Sequence, residues 1–228
     1  MTLCDWTKRQ TALLRGAITE GAAALAAQAE AAGVRRFIFL SSIKAAAART
    51  FDRAVSERDA PAPEDSYGRA KLHAERAVRA HAALHPVILR PPLVFAPDAK
   101  ANFAALLRLA ASPLPLPFAG VRNGRSLIAR ATLIGAIKAA LGEGPSGVFH
   151  VCNGPALSTG DIIAALRRGL GRPPGLFNAG PLAALAPAAL TESLASDDSA
   201  FAAAYGYAGA AMETAAALEA CARDWKAR

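Results

Sequence analysis

The sequence predicts an α/β fold built on a largely parallel sheet, and three observations carry that expectation. "FIFL" at 37–40 and "VIL" at 87–89 are short runs of consecutive apolar residues without the alternation of a half-exposed strand, so they read as strands buried on both faces. Stretches with helical periodicity or clear caps separate them. Strands and helices alternate along the chain, the order that lays helices over a parallel sheet.

The elements follow in order. Residues 19–33, "TEGAAALAAQAEAAG", are Ala-rich with acids in the first turns, and Gly33 suits the position just past a helix end. Phe37 to Leu40, bounded by two Arg and two Ser, form the first strand. An irregular stretch then leads to a helix over about 66–82, "SYGRAKLHAERAVRAHA". Val87 to Leu89 form a second buried strand, interrupted by Pro91 and Pro92. From about Asn102 to Ala111, Phe103, Leu106, Leu107 and Ala110 recur at helical spacing. "GVFHVCNG" predicts a third strand over about 147–152. "STGDIIAALRRGLG" predicts a helix with a Ser158/Asp161 capping signal and Gly171 past its end. The last fifty residues, rich in Ala and Pro, read as small helices and loops of a C-terminal lobe, and no internal repeat is visible.

With 228 residues, 53% hydrophobic and 19% charged, the chain can bury a substantial core, which argues against disorder as its main state. The net charge of +8 raises a phosphate-ligand or nucleic-acid hypothesis, but 20 of the 26 basic residues are Arg scattered through an Ala-rich background. Only 6% of residues are aromatic and no basic stripe is interleaved with them, which disfavours nucleic-acid binding. Cys4, Cys152 and Cys221 are widely spaced and odd in number, so neither a disulfide framework nor a metal site is expected, and a reducing cytoplasm fits. The opening "MTLCDWTKRQTALLRG" lacks the apolar core of a secretory signal, and no stretch approaches the ~18 apolar residues of a membrane span.

The chemistry concentrates in "DSYGRAKLHAERAV", residues 65–78. On a helix Tyr67 and Lys71 share a face, and an ammonium near a phenol favours the phenolate, lowering its pKa from about 10 toward working pH. Tyrosine then becomes usable as a general acid or base. Ser41 and Ser42 follow the first strand directly, at its carboxyl end, where open α/β sheets bind ligands. The spacing alone is a weak motif. Its place after a buried strand and a serine pair, and before a second buried strand, strengthens it.

At this point "GVRRFIFLSSIKA", "PEDSYGRAKLHAE" and "VILRPPLVFAPDAKANF" resemble successive blocks of the extended short-chain dehydrogenase/reductases, the NAD-dependent nucleotide-sugar epimerases and dehydratases. "NGRSLIARATLIGAI" and "LSTGDIIAALRRGLGRP" extend the likeness, which covers roughly residues 16–175. The branch most resembled is the UDP-glucose 4-epimerase-like and UDP-N-acetylquinovosamine dehydrogenase-like group. The resemblance implies a partial Rossmann-like, doubly wound parallel sheet over 1–98, lacking its first strands. A small C-terminal substrate lobe over 99–228 would return one strand, about 147–152, to the sheet.

Carried over residue by residue, the resemblance makes Tyr67 the acid/base at a sugar hydroxyl, with Lys71 as its electrostatic partner and nicotinamide-ribose ligand. Ser42 becomes the hydroxyl that orients the substrate. Ser41, Pro91 and Pro92 fall beside the NAD cofactor. Lys100, Asn102 and Arg125 fall where the family holds the nucleotide diphosphate of a UDP-sugar, and cationic side chains and a helix N-terminus suit that anion. For Arg125, a solvated surface arginine accounts for the residue equally well. A homodimer through the helices near 19–33 and 66–82 is also implied.

The chain departs from the family in three ways. Nothing before Phe37 supplies the strand and Gly-rich turn that cradle a dinucleotide. The chain therefore resembles the later part of an epimerase, and the 37–40 strand is expected to have an unpaired apolar edge. The family usually has Asn near Ile18 and Ser or Thr at Ala70. The one literal G-x-G-x-x-G, "GEGPSG" at 142–147, precedes a strand and reads as an ordinary turn.

Two function classes stay open: an NAD-dependent nucleotide-sugar epimerase or dehydrogenase, and a non-catalytic homologue that keeps nucleotide-sugar binding or dimerisation. Nothing in the loops at 43–65 and 113–124 identifies the sugar.

Overall fold

The structure is a computed structural model that describes residues 15–180, 185–207 and 213–227. Cys4 and the opening stretch through residue 14 lie outside the described residues, as do short pieces of the C-terminal lobe.

A π-helical turn, Arg15–Glu20, runs into helix α1, Gly21–Ala31. The helix ends as expected at Gly33, whose φ of +73° is open to glycine at little cost. Strand β1, Ile38–Leu40, then leads to a short 3-10 turn, Ile43–Ala45. Helix α2 spans Ser66–Arg79 and strand β2 spans Val87–Arg90. After Pro91 and Pro92 the chain resumes as strand β3, Leu93–Phe95, followed by helix α3, Ala101–Ala111. Strand β4, Leu127–Ala129, passes directly into helix α4, Arg130–Leu141. Strand β5, Gly147–His150, and helix α5, Thr159–Gly169, come next. The C-terminal lobe adds α6, Ala188–Thr191, α7, Ser199–Tyr205, and α8, Thr214–Lys226.

The main sheet is parallel with the order β1-β2-β5, so β2 is central and all four of its residues are buried. Ile38 lies opposite Val87, Leu40 opposite Leu89, and Arg90 opposite His150. Side chains alternate across the sheet and each set finds a helical layer. Val87, Leu89 and Phe149 pack with Leu133 and Ala136 of α4 and Phe201 of α7. Phe37 and Phe39 pack on the other face against Ala26 of α1 and Val78 of α2. Helices on both faces make the sheet doubly wound, as expected.

Strands β3 and β4 form a separate parallel pair, which the sequence did not disclose. A second core joins Phe103 and Leu107 of α3, Ile163 and Leu166 of α5, and Leu218 and Ala222 of α8. Arg167 of α5 is buried beside it and donates to the carbonyl oxygens of Ala110, Ser112, Leu114, Pro174 and Gly175 at 2.7–3.2 Å.

The loop between β1 and α2 is secured by the far end of the chain. Thr50 N donates to Ser193 O at 2.8 Å, Val55 N to Ala195 O at 2.9 Å, and Asp197 N to Val55 O at 3.0 Å. Within the sheet, β1 has β2 as its only strand neighbour among the described residues, and Leu40 is 40% exposed. The "GEGPSG" turn is structural. Arg36 donates to Ala140 O, Gly144 O and the Tyr205 hydroxyl, and that hydroxyl donates to Pro145 O at 2.5 Å.

Candidate active site

Tyr67 is the second residue of α2, and the local sequence explains where the helix starts. Asp65 in extended backbone accepts a hydrogen bond from Gly68 N at 2.6 Å, a typical N-cap. Its second carboxylate oxygen accepts from Lys44 Nζ at 2.6 Å, tying the helix start to the turn that follows β1. A Cβ on Gly68 would stand 2.3 Å from Lys44 O, so only glycine lets the helix approach this closely. Replacing Gly68 with alanine is therefore expected to destabilise the chain by about 1–3 kcal/mol, despite alanine's better helix propensity. A lowered urea midpoint checks this, and an unchanged or raised midpoint would contradict it.

The close approach brings Ser42 to Tyr67. Ser42 caps the 3-10 turn by accepting from Lys44 N at 3.2 Å, and its hydroxyl lies near enough to the Tyr67 phenol to favour its ionised form. Pro91 joins the same cluster through its carbonyl, which accepts from Ile43 N at 3.0 Å, and Pro91 and Pro92 are both buried. Ser41 is buried too, and its hydroxyl donates to Glu75. Ser41, Ser42, Tyr67, Lys71 and Pro91 thus gather where β1 and β2 end, the carboxyl edge at which such sheets hold ligands.

The electrostatics differ from expectation. Lys71 Nζ donates to the carbonyl oxygen of Leu40 at 2.9 Å and lies 5.1 Å from the Phe39 ring centroid and 5.9 Å from that of Tyr67. Burial is the largest influence on the phenol and pushes its pKa up, the Asp65 charge adds to this, and the Ser42 hydroxyl opposes both. Tyr67 is accordingly held as a neutral phenol in place of the lowered one anticipated. Burial likewise lowers the Lys71 pKa, against the attraction of Glu75. An ammonium hydrogen-bonded to a backbone carbonyl and facing the rings gives its charge to them instead of to the phenol oxygen.

Lys100, Asn102 and Arg125 belong to the second lobe. Lys100 precedes α3 without capping it through its side chain, and Asn102 is exposed in the first turn. Arg125 is not a freely solvated arginine. Its backbone pairs with Leu157 in both directions, its Nη1 donates to Glu192 O at 3.2 Å, and burial lowers its pKa. Two open clefts, of about 520 and 450 Å³, border the 46–62 loop and the 195–198 segment, and Tyr67 lines neither.

Sequence reasoning passed over two buried polar groups behind the site. Glu75 and Arg90 form a two-pronged ion pair, Nε to Oε1 at 2.9 Å and Nη2 to Oε2 at 2.6 Å, with each residue no more than 3% exposed. The available signal was an acid at i+8 from Tyr67 and i+4 from Lys71. The second group is His150, fully buried, with Nδ1 3.1 Å from Val55 O and no partner for Nε2 among the described residues. Its backbone N–H donates to Glu57 Oε1 at 2.6 Å.

Burial, followed by the positive charge of Arg90, lowers the His150 pKa to about 4, against the opposing pull of Val55 O, Glu75 and Asp197. The unfolded chain titrates this group near 6.5. The contribution is therefore complete above about pH 6.5 and is lost as pH falls toward 4, about 3 kcal/mol in all. Glu57, which burial pushes up, acts in the opposite sense and offsets part of the loss. Urea midpoints should fall across this window, and the fall should be shallower in His150→Asn; an equally steep fall in the variant would refute the assignment.

The parallel sheet is covered on both faces, and a serine pair and a Y-x-x-x-K helix meet at its carboxyl edge. Residues 4–189 match the family described as RmlD substrate binding domain, and the chain belongs to that family. It is 38% identical over 168 residues to a UDP-glucose 4-epimerase of Vibrio cholerae, an alignment that covers 71% of this chain and 51% of that protein. The chain thus spans about half the length of the curated relative it matches.

Among solved structures, RMD from Pseudomonas aeruginosa complexed with NADPH is similar at a TM-score of 0.78 and 18% identity, covering 96% of this chain and 75% of that one. The UDP-glucose 4-epimerase of Thermotoga maritima with UDP-glucose is similar at 0.76 and 18%, covering 95% and 71%. These likenesses establish the fold.

Proposed function

We propose that this chain carries the proton-transfer and substrate side of an NAD-dependent nucleotide-sugar oxidoreductase, a UDP-sugar 4-epimerase or 4-dehydrogenase. The observation that supports it most is the meeting of Tyr67, Ser42, Lys71 and Pro91 at the carboxyl edge of the parallel sheet. The relative from Vibrio cholerae carries that activity in its name.

The residues suit one side of the cofactor. Ser41, Ser42, Tyr67, Lys71, Pro91 and Pro92 would border its nicotinamide end, whereas no G-x-G-x-x-G turn follows a strand among the described residues to cradle its diphosphate. When bound, NAD would supply the hydride acceptor for the sugar carbon. The chain's own residues handle the proton. As the hydride leaves, Tyr67 would take the sugar hydroxyl proton, and in the reverse reduction the phenol would return it to the keto oxygen, with Ser42 orienting the substrate. In the oxidative direction the Ser42 hydroxyl, which opposes the upward shift of the phenol, favours the phenolate. Lys100, Asn102 and Arg125 would hold the diphosphate, and the half-buried, partly desolvated guanidinium of Arg125 strengthens that attraction. Residues 1–98 and 99–228 act as cofactor-side and substrate-side lobes.

The Ala-rich outer face of α1, with Leu25 57% exposed, would meet a second copy together with α2. A cytoplasmic location accords with this chemistry, and among the described residues no helix is long and apolar enough to cross a membrane.

Calorimetry with NAD and with UDP-glucose tests this reading. Binding of both supports it. Retention of UDP-glucose without NAD binding would favour a non-catalytic homologue, which the lack of a phosphate-cradling turn among the described residues also suits.

A further inference from the structure

Tyr67, Lys71 and Glu75 lie at i, i+4 and i+8 of α2, one above another on a single helix face. Each reaches a different point where the strands end. Lys71 holds the Leu40 carbonyl, and the next residue, Ser41, gives its hydroxyl to Glu75. The same carboxylate takes both prongs of Arg90, the last residue of β2 and the neighbour of Pro91. Glu75 thus collects three donors from two strands while 2% exposed. At 1.5 Å of rise per residue, it sits about 12 Å along the helix from Tyr67, too far to touch the same substrate oxygen.

We propose that Glu75 is the positioning residue of this site: it locks helix α2 to the ends of β1 and β2, so that Tyr67 meets Ser42 and the Lys71 ammonium is held beside a buried countercharge. The proposal rests on the site reading given above. A neutral bolt could fix the helix equally well, and a buried ion pair contributes little to stability over apolar residues of similar shape. What a carboxylate adds is charge. Lys71 is faced by the Leu40 carbonyl, the rings of Phe39 and Tyr67, and the Glu75 carboxylate four residues on, while the acid near the helix start, Asp65, is already paired with Lys44. Glu75 therefore offsets the desolvation of Lys71 in a way its hydrogen bonds alone do not.

The test reads Lys71 directly, without cofactor or sugar. The chain is labelled by reductive ¹³C-methylation of its lysines, and the Lys71 signal, assigned by its loss in Lys71→Arg, is titrated by NMR. In Glu75→Gln, which keeps the volume and an acceptor, the Lys71 pKa is expected to fall by about one pH unit, and Glu75→Asp should restore part of it. Glu75→Leu combined with Arg90→Met removes the positive charge along with the negative one, keeps the site dry, and should show a smaller fall of the same sign if Glu75→Gln does not fold. An unchanged Lys71 titration in a folded variant would overturn the proposal and leave Glu75 a structural bolt. If Tyr67→Phe retained full turnover, the catalytic reading would fail while the Lys71 result still judged Glu75.

Discussion

Substituting phenylalanine for Tyr67 is expected to lower turnover of a UDP-sugar in the presence of NAD by about 10²–10⁴-fold, the usual contribution of a positioned general acid or base. The ring stays. Its packing beneath the Lys71 ammonium and its place in the first turn of α2 are preserved, so the helix and its cap should form as before. What disappears is the hydroxyl that faces Ser42. Affinity for UDP-glucose should therefore change by no more than about twofold, because the groups proposed to hold the diphosphate are at Lys100, at Asn102 in the first turn of α3, and at Arg125. Steady-state kinetics and calorimetry on the same preparation separate these outcomes. Equal turnover in the variant would remove Tyr67 from the chemistry.

The second large effect concerns stability. Arg167→Ala is expected to lower the unfolding free energy by about 3–5 kcal/mol, since it strips five backbone carbonyls of a buried charged donor at one stroke. Three of those carbonyls, at Ala110, Ser112 and Leu114, run from the end of α3 into the following loop, where the helix dipole already favours a cation. Two more, at Pro174 and Gly175, belong to the turn after α5. A Cβ on Gly175 would stand 2.2 Å from Arg167 Nη1, so the turn is shaped around the guanidinium. Lysine should recover little, because a single ammonium cannot reach carbonyls arranged around a planar fork. Urea unfolding at neutral pH measures the loss, and a difference below about 1 kcal/mol would show that water replaces the arginine without penalty.

Those parts of the fold that announce themselves locally were legible in the sequence. Strand β2 is apolar without alternation because helices cover both of its faces, and α2 and α5 begin at side chains that accept from their own first turns. Helix α4 escaped notice for the converse reason: it issues straight from β4, its N-cap is Ala129, and no side chain marks its start. The β3 and β4 pair is three residues long on each side, too short for a period to show.

At the site, spacing was enough to bring Tyr67 and Lys71 to one face. It could not reveal the direction of the phenol's shift, which depends on burial and on Lys71 finding the Leu40 carbonyl first. Nor could it show that Glu75, Arg90 and Ser41 meet, since they come from three elements that adjoin only when the sheet is assembled.

The stitching of the 47–62 loop to residues 193–197 bears on the order in which the molecule is made. On the ribosome, β1 and β2 can pair as soon as the crossover between them is complete. The loop that runs from Ser42 toward Tyr67 must wait for some 140 further residues before Ser193 and Ala195 arrive to hold it. Sequence separations of that size are slow to close. A nascent chain would therefore present a formed sheet edge and an unsettled loop until residues 193–197 are made, an interval in which chaperones and proteases can reach that loop.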